Sequence, residues 1–122
     1  MFSCAQPQEN LYHLSIYLPR MEQDEIDFFN LLKKLETQSN FAFSIEVKGE
    51  KAFSLEAKKK LAIWFKENKT HLEKTCKGFA KISYKKHDHD KQEALQKAFP
   101  CPYQVFKNRL AATEWLLQLT SR

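Results

Sequence analysis

The chain reads as a single α/β domain with a four- to five-stranded, largely parallel or mixed sheet and helices packed on it. Three observations predict this class. The hydrophobic period switches repeatedly between two and about 3.6 residues, in the order βαβαβαβα, and such alternation favours parallel strands joined by right-handed crossovers. A length of 122 residues suits one core and leaves too little chain for a second. With 43% apolar residues, two glycines and four prolines, disordered, collagen-like and linker-like chains are excluded.

Leu11–Leu18 places Tyr12, Leu14, Ile16 and Leu18 at spacing two, a strand that Pro19 ends. Glu22–Gln38 turns helical, with Ile26, Phe29 (or Phe28), Leu32 and Leu35 along one stripe. Glu22, Asp24, Glu25 and Asp27 in its first turns and Lys33-Lys34 further on match the helix dipole, and Ser39-Asn40 close it. Phe41–Val47 is the second strand, with Phe41, Phe43, Ile45 and Val47 on one face, and Lys48-Gly49-Glu50-Lys51 is the turn after it. Ser54 is placed to cap the next helix, because its hydroxyl can accept from a free amide one turn on. That helix is predicted to run unbroken to about Cys76 on an apolar side of Leu61, Trp64, Phe65 and Leu72, with Gly78 as its stop signal.

Phe79–Tyr84 is the third strand. A polar loop, Lys85 to Asp90, leads to a short helix at about Lys91–Phe99 with Ala94, Leu95 and Ala98 inward, which Pro100-Cys101-Pro102 breaks. Tyr103–Phe106 is a short fourth strand. Asn108 then caps a last helix whose inward side holds Leu110, Ala111, Trp115, Leu116 and Leu119.

Twenty basic residues against fifteen acidic ones give a net charge of +5, unevenly placed. Residues 1–50 balance at −4 and residues 51–122 at +9. Such a polarised surface is either a solvated coat or a patch that steers an acidic partner. Only three of the basic residues are arginine, and base readers favour arginine's planar fork, so sequence-specific nucleic-acid binding is not expected. Cys4, Cys76 and Cys101 form an odd set with no short spacing, which argues against a disulfide framework or a zinc motif and for a reducing cytoplasm. No apolar run approaches the roughly 18 residues of a membrane span, and the start Met1-Phe2-Ser3-Cys4-Ala5-Gln6 has no signal-peptide character.

Three phrases in order carry a resemblance. The first is strand Phe41–Val47, a short loop and a helix opening at Ser54. The second is Lys77-Gly78-Phe79-Ala80-Lys81-Ile82. The third is Cys101-Pro102-Tyr103-Gln104-Val105-Phe106 followed by Ala111-Ala112-Thr113-Glu114-Trp115-Leu116. From Phe41 to Leu119 the chain resembles the STAS and SpoIIAA-like domains of bacterial anti-sigma-factor antagonists and the related small SEC14-like proteins. The resemblance implies a STAS-like fold over the single domain 1–122 and a regulatory, protein-binding role. Phosphorylatable members carry a serine at the start of the helix after the central strand, in an Asp-Ser-Ser-Gly context. Ser54 holds the matching place, but Ala52-Phe53 precede it and Leu55-Glu56-Ala57 follow, so a plain cap is expected. The SEC14-like side implies a lipid pocket, for which a domain of this size offers little room.

Lys51, Lys58, Lys59 and Lys60 surround the start of the long helix, where lysines face the positive end of the dipole at about 0.3–1 kcal/mol each. Free amides, a serine hydroxyl and lysines together would suit an anion. Lys58 to Lys60 fan over roughly 200°, however, so they cannot all converge on one ligand, whereas an acidic protein surface needs no convergence. His87-Asp88-His89-Asp90 is the one cluster of metal-type ligands. In an extended loop both imidazoles would share a side, yet a tight site needs three or four ligands from more than one segment, so no metal is expected. The chain shows no Gly-rich phosphate loop, nucleophile elbow or HExxH motif, and an i,i+5 spacing turns Cys76 away from His71. The reading is therefore a non-catalytic, cytoplasmic protein-binding module without a cofactor. Its partner carries an acidic surface and meets Lys51, Phe53, Ser54, Lys58 and Lys59. The alternative is a small-ligand site for an anion or lipid headgroup at the same helix start. Exposure of Phe28, Phe53 or Trp64 would favour the protein partner, because aromatics are over-used at interfaces.

Overall fold

The computed structural model describes residues 1–121, with the side chains of all of these but Glu50 and His87. Five strands lie in sequential order in one mixed sheet. Strand β1 (Phe2–Gln8) pairs antiparallel with β2 (Leu11–Tyr17), and β2, β3 (Phe41–Lys48), β4 (Cys76–Ile82) and β5 (Tyr103–Phe106) run parallel. Helix α1 (Glu22–Leu35) joins β2 to β3. Helices α2 (Leu55–Glu67) and α3 (Lys69–Thr75) join β3 to β4, α4 (Lys86–Asp90) and α5 (Gln92–Ala98) join β4 to β5, and α6 (Arg109–Thr120) ends the fold. Strand β1 has no sequence signature, because its polar residues are exposed on an edge and it is held by pairing with β2.

Two cores flank the sheet. The larger packs Phe28, Leu32 and Leu35 of α1, Ala57 and Trp64 of α2 and Leu72 of α3 onto Leu14, Ile16, Phe41, Phe43 and Phe79. Its centre is aromatic, with Phe43 stacked on Phe79 at 4.7 Å and Phe28 edge-on to Phe53 at 5.0 Å. The smaller core packs Ala112 and Leu116 of α6 onto Leu11, Ala42, Ala80 and Ile82. Because both faces are covered, β2 and β3 are buried at nearly every position rather than at alternate ones.

Several expectations are corrected by this packing. Phe28 rather than Phe29 lies in the α1 stripe, and Ile26 is exposed. The long helix is two helices. Asn68 leaves helical geometry between them, donating from its main chain and its Nδ2 to the Trp64 carbonyl, each at 3.0 Å. Gly78 is no helix stop but an interior residue of β4, where a Cβ would lie 2.6 Å from Leu119 Cδ1 and 3.3 Å from Leu116 Cδ2. Its absence of a side chain lets α6 sit directly on the strand. Helix α5 has no buried residue: Ala94 and Ala98 are exposed, and Leu95, 37% exposed, borders a cleft rather than the core. Its glutamines hold it instead: Gln92 Oε1 accepts from the Val105 N–H and Gln96 Nε2 donates to the Tyr103 carbonyl, both at 2.8 Å. These bonds occupy main-chain groups along the edge strand β5. In α6 the buried residues are Ala112 and Leu116, and Leu110 faces solvent. Residues 86–90 form a helical turn rather than an extended loop. The His87 side chain of the expected metal-type cluster lies outside the described residues.

Candidate functional site

The C-terminal ends of the parallel strands open into a cleft of about 840 Å³. Parallel α/β sheets place ligands at this end, where loops leave the strands and helices diverge. Helix α2 forms one wall with Lys58, Leu61, Ala62 and Phe65, whose spacing of three and four puts them on one helical face. Ile45 of β3 and Phe79 of β4 form the floor, and Leu95, Phe99 and Tyr103 close the other side. Phe99 and Tyr103 are stacked at 4.3 Å, and Phe65 meets Phe99 at 5.0 Å, so the lining is a continuous aromatic surface. Around it stand Lys48, Lys58, Lys81, Lys85 and the exposed Tyr84. A second hollow, of about 380 Å³, lies at the opposite end of the sheet among the polar loop residues 8–10 and 38–40. The limited room expected for a pocket in this domain is thus revised.

A polar cluster ties α4 to the cleft. Asp88 Oδ1 lies 3.2 Å from Lys81 Nζ, and Ser83 Oγ donates to Asp88 Oδ2 at 2.6 Å. The Lys85 N–H donates to Ser83 Oγ at 3.1 Å, and His89 Nε2 donates to the Ser83 carbonyl at 2.8 Å. Burial works to raise the Asp88 pKa, but the Ser83 hydrogen bond and the Lys81 and Lys85 charges together hold it below the ordinary carboxylate value. Burial, and then the Asp88 charge, push the Tyr103 phenol up to about 12. Sequence reasoning placed Asp88 in a metal-type cluster and missed this role, which depends on Lys81 pointing to the face of β4 that α4 covers.

The residues expected to meet a partner separate into three groups. Ser54 caps α2, its Oγ accepting from the Ala57 N–H at 3.0 Å. Its hydroxyl and N–H both donate to the Glu25 carboxylate, at 3.0 and 2.9 Å. A carboxylate from α1 thus already occupies these two donors at the helix start. Phe53 is buried in the larger core and borders the cleft, and Lys58 lines it. Lys51 and Lys59 are exposed and do not line the cleft. Phe28, Phe53 and Trp64 are at most 8% exposed, so none offers an interface aromatic. Exposed apolar residues at this end include Leu18, Met21 and Leu55.

A second polar group lies on the other face, under α6. His13 Nδ1 is 2.6 Å from Ser44 Oγ, and Nε2 is 3.5 Å from Glu46 Oε1. Burial, then the Arg109 and Lys48 charges, lower the His13 pKa from 6.5 to about 4. Serine, histidine and carboxylate here share the composition of a hydrolytic triad. They are 2%, 3% and 7% exposed, respectively, so the group is buried in the sheet. The detectable signal was the phase of the strands: His13, Ser15, Ser44 and Glu46 all fall on the alternate positions. Cys76 and Cys101 are buried and Cys4 is exposed, all three free. Burial, and then the neighbouring Cys101, push the Cys76 thiol well above its ordinary pKa, which suppresses the nucleophilic thiolate. Among the described residues no group of three or more His, Cys, Asp or Glu side chains is arranged to hold a metal ion. No described helix is long and apolar enough to cross a membrane.

No family model and no curated protein matches the chain. Among solved structures it is similar to an uncharacterized protein of the DUF3478 family with a SpoIIAA-like fold from Shewanella loihica PV-4. The two superpose with a TM-score of 0.55 at 13% identity, over 95% of this chain and 92% of the other. The likeness establishes the fold as SpoIIAA-like, a mixed α/β sheet in one domain.

Proposed function

We propose that the protein is a non-catalytic binding module whose site is the cleft between α2 and α4–α5, and whose ligand is an amphipathic anion. The class meant is a single alkyl chain ending in a carboxylate or phosphate. One observation carries this reading: an aromatic and aliphatic interior of about 840 Å³ opening among lysines. The volume falls in the range of small-molecule sites. An apolar body would bury against Ile45, Phe79 and Phe99 while an anionic head stays among the ammonium groups. Ser54 and Cys76, the side chains closest to nucleophile types, are engaged in capping and packing, which supports a role without catalysis. Three free thiols fit a reducing cytoplasm.

The test is a thermal-shift series with dodecanoate and dodecyl phosphate. Ligand at 100 times its dissociation constant should stabilise the protein by about 2.7 kcal/mol. Ala62→Trp, which fills the mouth of the cleft, should abolish that shift. An equal shift in the Trp variant would refute the cleft as the site.

A protein partner with an acidic surface is the second reading, favoured by exposed Leu18, Met21 and Leu55 beside Lys51 and Lys59 at the start of α2. A partner captured by the wild type and released by Lys51→Glu and Leu55→Asp, but not by Ala62→Trp, would move the function to that surface.

A further inference from the structure

The cleft, read as a site for an amphipathic anion, is bordered by Glu46, whose carboxylate is turned to His13, and by Asp88, whose carboxylate faces Lys81. Both oxygens of Asp88 are engaged, one by the Lys81 ammonium at 3.2 Å and one by the Ser83 hydroxyl at 2.6 Å. Ser83 is itself fixed by the Lys85 N–H. The Asp88 side chain is 19% exposed and that of Lys81 40%, so the pair is only partly screened by water. A positioned carboxylate facing a lysine and a hydroxyl shows what this wall of the cleft accepts, because an incoming head would use the same two donors.

We infer that Asp88 sets the charge selectivity of the cleft, acting as an internal counter-anion that a ligand's head must displace from Lys81 and Ser83. This rests on the cleft being the binding site. An intramolecular competitor is always present at high effective concentration, so an anionic head gains from Lys81 only the difference between its own contacts and those of Asp88. A neutral hydroxyl head gains at most one ordinary hydrogen bond and no ion pair from Lys81, so it competes with Asp88 only weakly. Removing the Asp88 charge therefore tightens anions and leaves neutral isosteres unchanged. A side chain that merely shaped the cleft would affect both alike.

The experiment compares dodecanoate with dodecan-1-ol, each displacing an apolar fluorophore from the full chain. The proteins are the wild type, Asp88→Asn and Lys81→Gln, with folding of each checked by circular dichroism. Asp88→Asn should tighten dodecanoate by about three- to tenfold, as expected for loss of one partly exposed ion pair, and leave dodecan-1-ol within twofold. Lys81→Gln should weaken dodecanoate and leave the alcohol unchanged. This second variant keeps the inference testable if Asp88→Asn does not fold. Equal shifts of both probes in Asp88→Asn, or carboxylate binding indifferent to Lys81→Gln, would overturn the inference while the cleft reading stands. Failure of both probes to bind the wild type would overturn the cleft reading and this inference with it.

Discussion

Acid should destabilise the protein well above the range in which its carboxylates titrate, through His13. The imidazole is 3% exposed, bonded to Ser44 and 3.5 Å from the Glu46 carboxylate; burial first, then the Arg109 and Lys48 charges, outweigh that carboxylate and oppose its protonation. Its pKa falls from 6.5 to about 4 on folding. The unfolded chain thus binds a proton at a pH where the folded chain does not. The stabilisation is complete above 6.5 and is lost as pH falls through the interval down to about 4. The whole gap corresponds to roughly 3 kcal/mol, of which about 2 kcal/mol is lost by pH 5. Asp24 and Asp88, held below the ordinary carboxylate value, contribute their losses at lower pH. The assay is urea unfolding at pH 7.5 and pH 5.0 of the wild type and of His13→Gln, which keeps a neutral hydrogen-bonding side chain against Ser44. The glutamine variant should be less stable at neutral pH but lose about 2 kcal/mol less between the two conditions. Equal losses in the two proteins would refute His13 as the group responsible.

Two further outcomes follow from close contacts. Gly78→Ala should destabilise by about 1–3 kcal/mol through overpacking, and Leu119→Ala should recover part of that loss, measured as a double-mutant cycle in urea; additive effects would show that the strand–helix contact is not the cause. Ser54→Ala removes the α2 cap and should cost about 1 kcal/mol, and Glu25→Gln should cost less in that background than in the wild type, because only the bond from the residue 54 N–H then remains. Full additivity of Ser54→Ala and Glu25→Gln would separate the two bonds.

The parallel strands and the helices between them were legible because a half-buried element imposes a period on its residues. Phe41, Phe43 and Ile45 announce β3, and the Phe28, Leu32 and Leu35 stripe announces α1 to within one position. Where burial imposes no period, nothing is written. Strand β1 is a polar edge, and α5 is held by two glutamine side chains rather than by an apolar face. Gly78 was read by its commonest local use, a helix end, when its reason is a helix that begins 31 residues further along the chain, at Arg109. The same limit governs the site. Lys58 and Lys59 are adjacent lysines, and only the packing of α2 on β3 and β4 decides which one lines the cleft. Lys81 and Asp88 are two charges among many until α4 turns back over the strand.

The lysines around α2 have a physical explanation that the sequence could not supply. Three consecutive lysines near a helix N-terminus oppose the dipole, and alone they would loosen the first turn. In the fold that end is not short of negative charge. Glu25 of α1 accepts from both the Ser54 N–H and its hydroxyl, and Glu56 lies in the first turn. The carboxylate offsets the dipole from outside the helix, so the helix keeps its start without an exogenous anion. Lys60 is turned onto the Phe29 ring at 5.8 Å and Lys59 faces solvent. Of the three, Lys58 is the one placed along an apolar cavity. On the proposed reading, an anionic head therefore meets Lys58 at the side of α2 rather than the helix end, where Glu25 already occupies the donors.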